Sequence, residues 1–372
     1  MAGKRTLFRK ILILLNLGVV IAYLISCLLP FINTGENWLL ALPGLVFPFI
    51  FFSLVFFIIL WAFLKSKWWW ISLIVLLLGF QQIITVFGFN FPKEFSYDKK
   101  PNTLRVLQWN VTSWDEGNKK AFGGTSFRPL MLDLVKKQDA DVLCFEEFFE
   151  SKDTGYFKPN ISSIVKMGFP YYYFVPLKKG YEHDIQSGIA IFSKYPMIDS
   201  ANFSFKRNYT GEHLVYTDIK VNDKIFRIFA THLQPLYFDE PDYEILNWFK
   251  PEQETNMSDH RTIFSKLKRG YEFRYKQSEL ISEKINESPY PVIICGDFND
   301  LPNSSIYFKI KGNLQDAFLK KGSGFGRTTH FISPTLRIDY IFVDKCFKVT
   351  QFQVLHVPYS DNHYPVETDL QF

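Results

Sequence analysis

Three uncharged apolar runs, residues 11–32, 38–64 and 68–91, fill the first quarter of this 372-residue chain. At 22, 27 and 24 residues, each is long enough to cross a bilayer as a helix, which takes about 20 apolar residues. Residues 1–92 are therefore expected to form a membrane domain of three transmembrane helices. The first run is too long for a signal-peptide core and a second follows almost at once, so it is read as a retained span. Pro43 and Pro48 are placed to kink the second span, and Gln81 and Gln82 to hydrogen-bond between helices in the third. Lys4, Arg5, Arg9 and Lys10 precede the first run and Lys65 and Lys67 separate the second from the third, whereas residues 33–37 hold no Lys or Arg. Cytoplasmic loops collect Lys and Arg, so the expected protein is a multi-pass plasma (inner) membrane protein with a cytoplasmic N-terminus. The chain beyond residue 92 is then extracytoplasmic, on the periplasmic side. Lys93, Lys99 and Lys100 oppose that orientation and are outnumbered.

Charge divides the chain at the same place. Of 42 Lys and Arg and 37 Asp and Glu, six basic residues and one acid, Glu36, fall in residues 1–92, leaving 36 of each beyond. A region without net charge gives no support for the broad positive surface of nonspecific nucleic-acid binding, and leaves a local basic patch open. With 47% hydrophobic and 21% charged residues, the chain is not disordered. Cys27, Cys144, Cys295 and Cys346 show no metal-type pairing and are expected to be buried free thiols.

After a polar linker at 93–103, residues 104–372 read as one soluble catalytic domain of short β-type runs with few helices. Strands are expected at 104–109, 142–145, 172–176, 188–193, 215–221, 225–231, 292–295, 338–343 and 347–357. Helices are expected at 128–138 and 259–287, the latter with Ser258 as N-cap. This pattern points to a layered α/β sandwich.

Acids, amides and histidines fall at the ends of those apolar strands. LRVLQWN ends on Asn110, DVLCFEE on Glu146 and Glu147, and IFATHL delivers His232. VIICGDFN delivers Asp297 and Asn299, LRIDYIF carries Asp339, and SDNHYPV supplies Asp361, Asn362 and His363. Strand ends at one rim can pool such groups into a pocket, and carboxylates with amides suit a hard, oxygen-seeking cation.

Together these segments resemble the endonuclease/exonuclease/phosphatase superfamily, which includes DNase I-like nucleases, inositol-polyphosphate phosphatases and neutral sphingomyelinases. The resemblance runs from about residue 104 to residue 372, with GDFN, RIDYIF and the final His-x-Pro-Val as its most specific parts. It implies a four-layered α/β sandwich, two packed mixed β-sheets flanked by helices, and hydrolysis of a phosphodiester or phosphomonoester by in-line attack of water. It implies Mg2+ as cofactor, with Mn2+ as the alternative, held by Glu147 with Asn110 and Asp361. By the same resemblance His232 contacts the scissile phosphate, Asp297 and Asn299 position water and phosphate oxygens, and Asp339 orients His363.

Two positions depart from the family pattern. Glu146 stands where Gln is usual and adds a negative charge beside Glu147. Asn362 intervenes between Asp361 and His363 where the usual order is Ser-Asp-His-x-Pro. Aligning on His363 and Pro365 puts Asn362 at the acid's position, while aligning on Ser360 and Asp361 displaces the histidine. The expected partners are a phosphate ester (a lipid head group, a small phosphoester or nucleic acid) and the bilayer, with no obligate protein partner. A catalytically inert binding module on the same fold is the alternative.

Overall fold

The computed structural model describes residues 2–116, 126–153, 155–180, 184–205, 213–236, 257–330, 333–359 and 363–372. Asp361, Asn362, His183 and most of the long stretch between THL and GDFN (237–256) lie outside them. In chain order the strands are β1 Gly88–Phe89, β2 Thr103–Asn110, β3 Val142–Ser151, β4 Tyr171–Gly180, β5 Ile185–Ser193, β6 Met197–Ser204 and β7 His213–Val221. They continue with β8 Lys224–His232, β9 Val292–Asp297, β10 Gln315–Asp316, β11 Ser323–Gly324, β12 Asp339–Val343, β13 Lys348–Val354 and β14 Val366–Gln371.

Two mixed six-stranded sheets result, in the orders β13-β14-β2-β3-β5-β4 and β10-β12-β9-β8-β7-β6. Each contains one parallel pair, β2 with β3 and β8 with β9, joined by a helical crossover, Arg128–Gln138 and Met257–Asn286 respectively. Parallel strands need such a crossover. The sheets pack face to face over an apolar core that includes Val106, Cys144, Ile228, Ile293 and Cys295. Helices cover both outer faces, burying Leu107, Trp109 and Phe145 on one side and Phe229, Ile294 and Tyr307 on the other.

The helix Arg128–Gln138 has its expected bounds, and the second expected helix starts at Met257, which places Ser258 inside it rather than at its cap. The polar edge strand β6 and the terminal β14 were not legible as strands, since neither is a simple apolar run. Three cysteines are at least half-buried, but Cys346 is exposed because it sits in the turn between β12 and β13.

The apolar runs fold into one long helix, Ala2–Leu28, and two bent pairs. Trp38–Leu45 meets Phe47–Phe63 at 64°, and Trp69–Leu78 meets Phe80–Val86 at 62°. By length and composition alone, one helix can cross a membrane, or three if each bent pair is one span. Pro48 opens the helix after the first bend. The second bend is at Gly79, where a Cβ would lie 2.2 Å from the Tyr23 ring. Polar bonds between these helices include Ser72 Oγ to Asn16 Oδ1 at 2.9 Å and Tyr23 OH to Leu76 O at 3.2 Å, and among the described residues Gln82 Oε1 finds no partner.

This apolar part is joined to the sandwich. Thr34 bonds Ser305, Asn303 Nδ2 donates to Gly44 O, and β1 pairs with β11. Buried Arg337 donates to Thr85 O at 2.8 Å and to Asp316 Oδ2 at 3.0 Å. Residues 93–103 are also held against the sandwich, through Tyr97 to Gln138 and Lys99 to Asp141.

Candidate active site

Period-two alternation explains how the polar groups meet. In a strand, residues i, i+2 and i+4 share a face. On the inter-sheet face, β2 runs Leu104, Val106, Gln108, Asn110, and β3 runs Val142, Cys144, Glu146. Opposite them, β8 runs Phe226, Ile228, Ala230, His232, and β9 runs Ile293, Cys295, Asp297. Read backwards, antiparallel β12 runs Val343, Ile341, Asp339. Each face is apolar until its rim end, one residue deep in β3, β8, β9 and β12 and two deep in β2 (Gln108 and Asn110), so the site caps the core between the sheets. Register then aligns the caps: Asn110 pairs with Glu146, and Asp297 has His232 on one side and Asp339 on the other.

Contacts centre on Asp297. Its Oδ2 accepts from Asn110 Nδ2 at 3.2 Å and lies 3.5 Å from His232 Nε2 and 3.6 Å from His363 Nε2. His363 turns its other nitrogen to Asp339, with Nδ1 at 3.0 and 3.2 Å from the two carboxylate oxygens. Burial works against a charged His363, but Asp339 and Asp297 outweigh it and raise the imidazole to about 10. Burial raises the Asp297 carboxyl, opposed by His363 and His232. Asp297, Asp339 and His363 each offer a ligand atom within 4.8 Å of the others, close enough to hold one metal ion.

Glu147 reaches the rim by a different device. The β3–β5 register slips by one residue between Phe145 and Phe148, a bulge, and Glu147 sits there with φ of 50°. Bulges re-aim side chains next to active sites. Plain alternation would turn Glu147 away from Glu146. The bulge instead brings Glu147 Oε1 to 3.2 Å from Asn110 Nδ2, the same amide that bonds Asp297.

Glu146 points inward and is fully buried, accepting from Gln108 Nε2 at 2.7 Å. Burial drives its carboxyl well above the usual range, with further pressure from Asp339. Asn299 is at the rim with φ of 49°, its N–H on Asp297 Oδ1 and its Nδ2 on Leu233 O. In this structure it therefore braces the loop after β9 against the end of β8.

Sequence reasoning missed three supports. Gln108 Nε2 bridges Glu146 and Asp339, linking the two sheets. Its signal was a polar residue two positions before Asn110 in an otherwise apolar strand. Trp109 Nε1 donates to His363 O, and Thr328 Oγ1 accepts the N–H groups of Ile338 and Asp339. In the aromatic FPYYYF segment Phe169 is buried and Tyr171 to Phe174 open the edge strand β4, with Tyr171 and Tyr172 exposed.

Two facing mixed sheets with a buried Asp/Asp/His cluster at their common rim define a phosphoesterase-type α/β sandwich. The chain belongs to the Endonuclease/Exonuclease/phosphatase family, whose model matches residues 127–361. A domain of unknown function matches residues 9–86. The chain is similar to the human nocturnin catalytic domain with bound sulfate anion, at 21% identity over 74% of this chain and 95% of that chain, TM-score 0.52. It is also similar to an endonuclease/exonuclease/phosphatase from Beutenbergia cavernae, at 16% identity over 73% of this chain and 72% of that one, TM-score 0.52. Both likenesses concern the fold. No curated protein matches the chain.

Proposed function

We propose that this protein is a membrane-anchored, Mg2+- or Mn2+-dependent phosphoesterase that hydrolyses a phosphodiester or phosphomonoester by in-line attack of water. The observation that carries the reading is the convergence of Asn110, His232 and His363 on Asp297 Oδ2, with Asp339 behind His363.

The donor set fits a hard cation. Glu147 and Asp297 both reach the Asn110 amide, so two carboxylates face one point that an anionic phosphate could not approach unaided. Glu147, with Asn110, would hold the ion, and Asp361 would join them by the sequence reading alone. Bound there, the ion would offset the phosphate's charge and polarise phosphorus. His363 is poorly suited to ligate, because its Nδ1 serves Asp339 and its raised pKa keeps the ring protonated. As an imidazolium it would face the phosphate instead. Asp297 would take the proton of the attacking water. His232 and the Asn110 amide would donate to the phosphate oxygens as charge builds there. Asn299 would keep Asp297 aimed.

The alternative of an inert binding module rests on the extra acid Glu146 and on Asn362 before His363, and Asn362 lies outside the described residues. Glu146 itself is turned inward onto Gln108, away from the rim, and burial raises its carboxyl, which favours the hydrolase.

On this reading residues 1–92 are the membrane domain, 93–103 the connection and 104–372 the catalytic domain. Arg9 Nη2 lies 3.4 Å from Ser66 Oγ, gathering the basic loops at one end of the helices. The contacts of Thr34, Gly44 and Thr85 with the catalytic domain gather at the other. That supports three crossings with a cytoplasmic N-terminus and an extracytoplasmic catalytic domain. Tethering and absent net charge favour a lipid head group or small phosphoester over nucleic acid.

Full-length protein in detergent should cleave members of a phosphoester panel with Mg2+ or Mn2+ and stop on adding EDTA. Asp297→Asn and His363→Gln should each lower kcat by roughly 10²–10⁴-fold without changing the circular dichroism spectrum. No turnover with either metal across the panel would overturn the reading.

A further inference from the structure

A cavity of about 500 Å³ lies where the apolar helices meet the catalytic domain, away from the chemistry above. Ile84, Phe87 and Phe89, from the end of the third apolar run, line one side of it. Lys311, Lys320 and Lys345 line another, brought from the helix Ser305–Lys311, the helix Ala317–Lys321 and the turn between β12 and β13.

These lysines are not neutralised. Among the described residues, none of the three forms an ion pair, and Lys311 Nζ has only a 3.5 Å contact to Gly312 O. Asp316 also lines the cavity, but it is buried and already bonded by Arg337 Nη1, Tyr307 OH and the N–H groups of Phe318 and Leu319. Burial lowers the Lys311 pKa, Asp316 opposes this, and Lys345 and Lys320 add to the lowering. Three lysines thus line one cavity, and an anion placed there would meet a positive wall.

The apolar side says which anion. Phe89 in the wall and Phe91 just beyond it are 68% and 88% exposed, at the point where the chain leaves the apolar helices. Exposed aromatics at such a point suit the membrane–water interface. Basic pockets beside membrane helices bind the phosphates of anionic lipid head groups. We propose that this cavity binds the head group of an anionic phospholipid, with the lysines on its phosphate and the Phe87–Phe89 wall against its glycerol and upper acyl carbons. The inference rests on the membrane reading of residues 6–86, not on hydrolysis.

The test uses the full-length protein in detergent, with phosphatidylglycerol, phosphatidylcholine and inorganic phosphate as probes, read by native mass spectrometry and thermal unfolding. Phosphatidylglycerol should be retained one-to-one and raise Tm. The variant K311Q/K320Q/K345Q should bind it at least about tenfold more weakly. A charge-matched variant at exposed positions elsewhere, K136Q/K158Q/K220Q, should bind as the parent does. Equal retention of phosphatidylcholine, or unchanged binding by the first variant, would overturn the site. Inorganic phosphate raising Tm as much as the lipid in the parent, and not in K311Q/K320Q/K345Q, would assign the lysines to free phosphate and overturn the lipid. Sedimentation with membranes checks the bilayer reading separately, and no turnover is measured, so lost binding counts against this cavity alone.

Discussion

His363 shows how much one carboxylate decides. Desolvation alone would discharge a buried imidazole, yet Asp339 and Asp297 raise it to about 10. A folded pKa above the unfolded value of about 6.5 adds stability that is complete below about pH 6.5 and is lost as pH climbs through 10. Asp339→Asn removes the closer partner. In metal-free protein the His363 titration, followed by NMR of labelled histidine, should then fall by more than one pH unit. A midpoint still near 10 would mean that Asp297 holds the proton unaided. His363 itself could be picked out from the Tyr-Pro-Val that follows it. Its pairing with Asp339 could be expected only by resemblance, because 24 residues separate them and nothing local links the two.

At the scale of elements, the parallel pair β8 and β9 carries His232 and Asp297 side by side. Gly296 lets these strands approach: a Cβ there would lie 2.2 Å from Thr231 O and 3.0 Å from Thr231 Cγ2. Gly296→Ala must push main chain apart, and overpacking of this kind costs about 1–3 kcal/mol or more. Tm and kcat should fall together, the first by thermal unfolding and the second by phosphoester turnover. An unchanged Tm would mean that the strands have slack, and then Gly296 does not set their spacing. Most strands were legible because short β-branched and aromatic runs bounded by turns are a local pattern. The exceptions have physical causes. Strand β6 alternates polar residues along an exposed edge, and β14 is buried on both faces and carries Glu367 and Asp369 inside. Those acids are tolerated through Gln353 on the paired strand β13 and through Arg105, which is 264 residues from Asp369.

Across the whole molecule, Arg337 ties the two parts together. Its guanidinium is buried, bonded to Asp316 on one side and to the main chain of the third apolar run on the other. Asp339, the partner of His363, lies two residues along the same chain. Arg337→Ala leaves Asp316 as a buried charge without its cation, a change that typically costs about 3–5 kcal/mol. The full-length variant in detergent should lose several degrees of Tm and gain protease cleavage near residues 86–92. Wild-type Tm and cleavage would show that the junction is incidental. The same contacts predict that residues 93–372 expressed alone will be less stable than the intact chain, since Trp38, Ala41 and Leu45 pack onto the outer core of one sheet.

Hydropathy and alternation are properties of neighbouring residues. They therefore determined the apolar N-terminal quarter, the strand-rich remainder and the polar residue that closes each strand, and motif order supplied the family. Tertiary structure decided what depends on partners far along the chain. Pairing of β3 with β5 creates the bulge that turns Glu147 to the rim, and Gln108 takes Glu146 inward. Packing of Tyr23 at Gly79 accompanies the bend in the third run, and Arg337 fastens that run to the sandwich. Each depends on register and side-chain contact between segments tens to hundreds of residues apart, which no local pattern encodes.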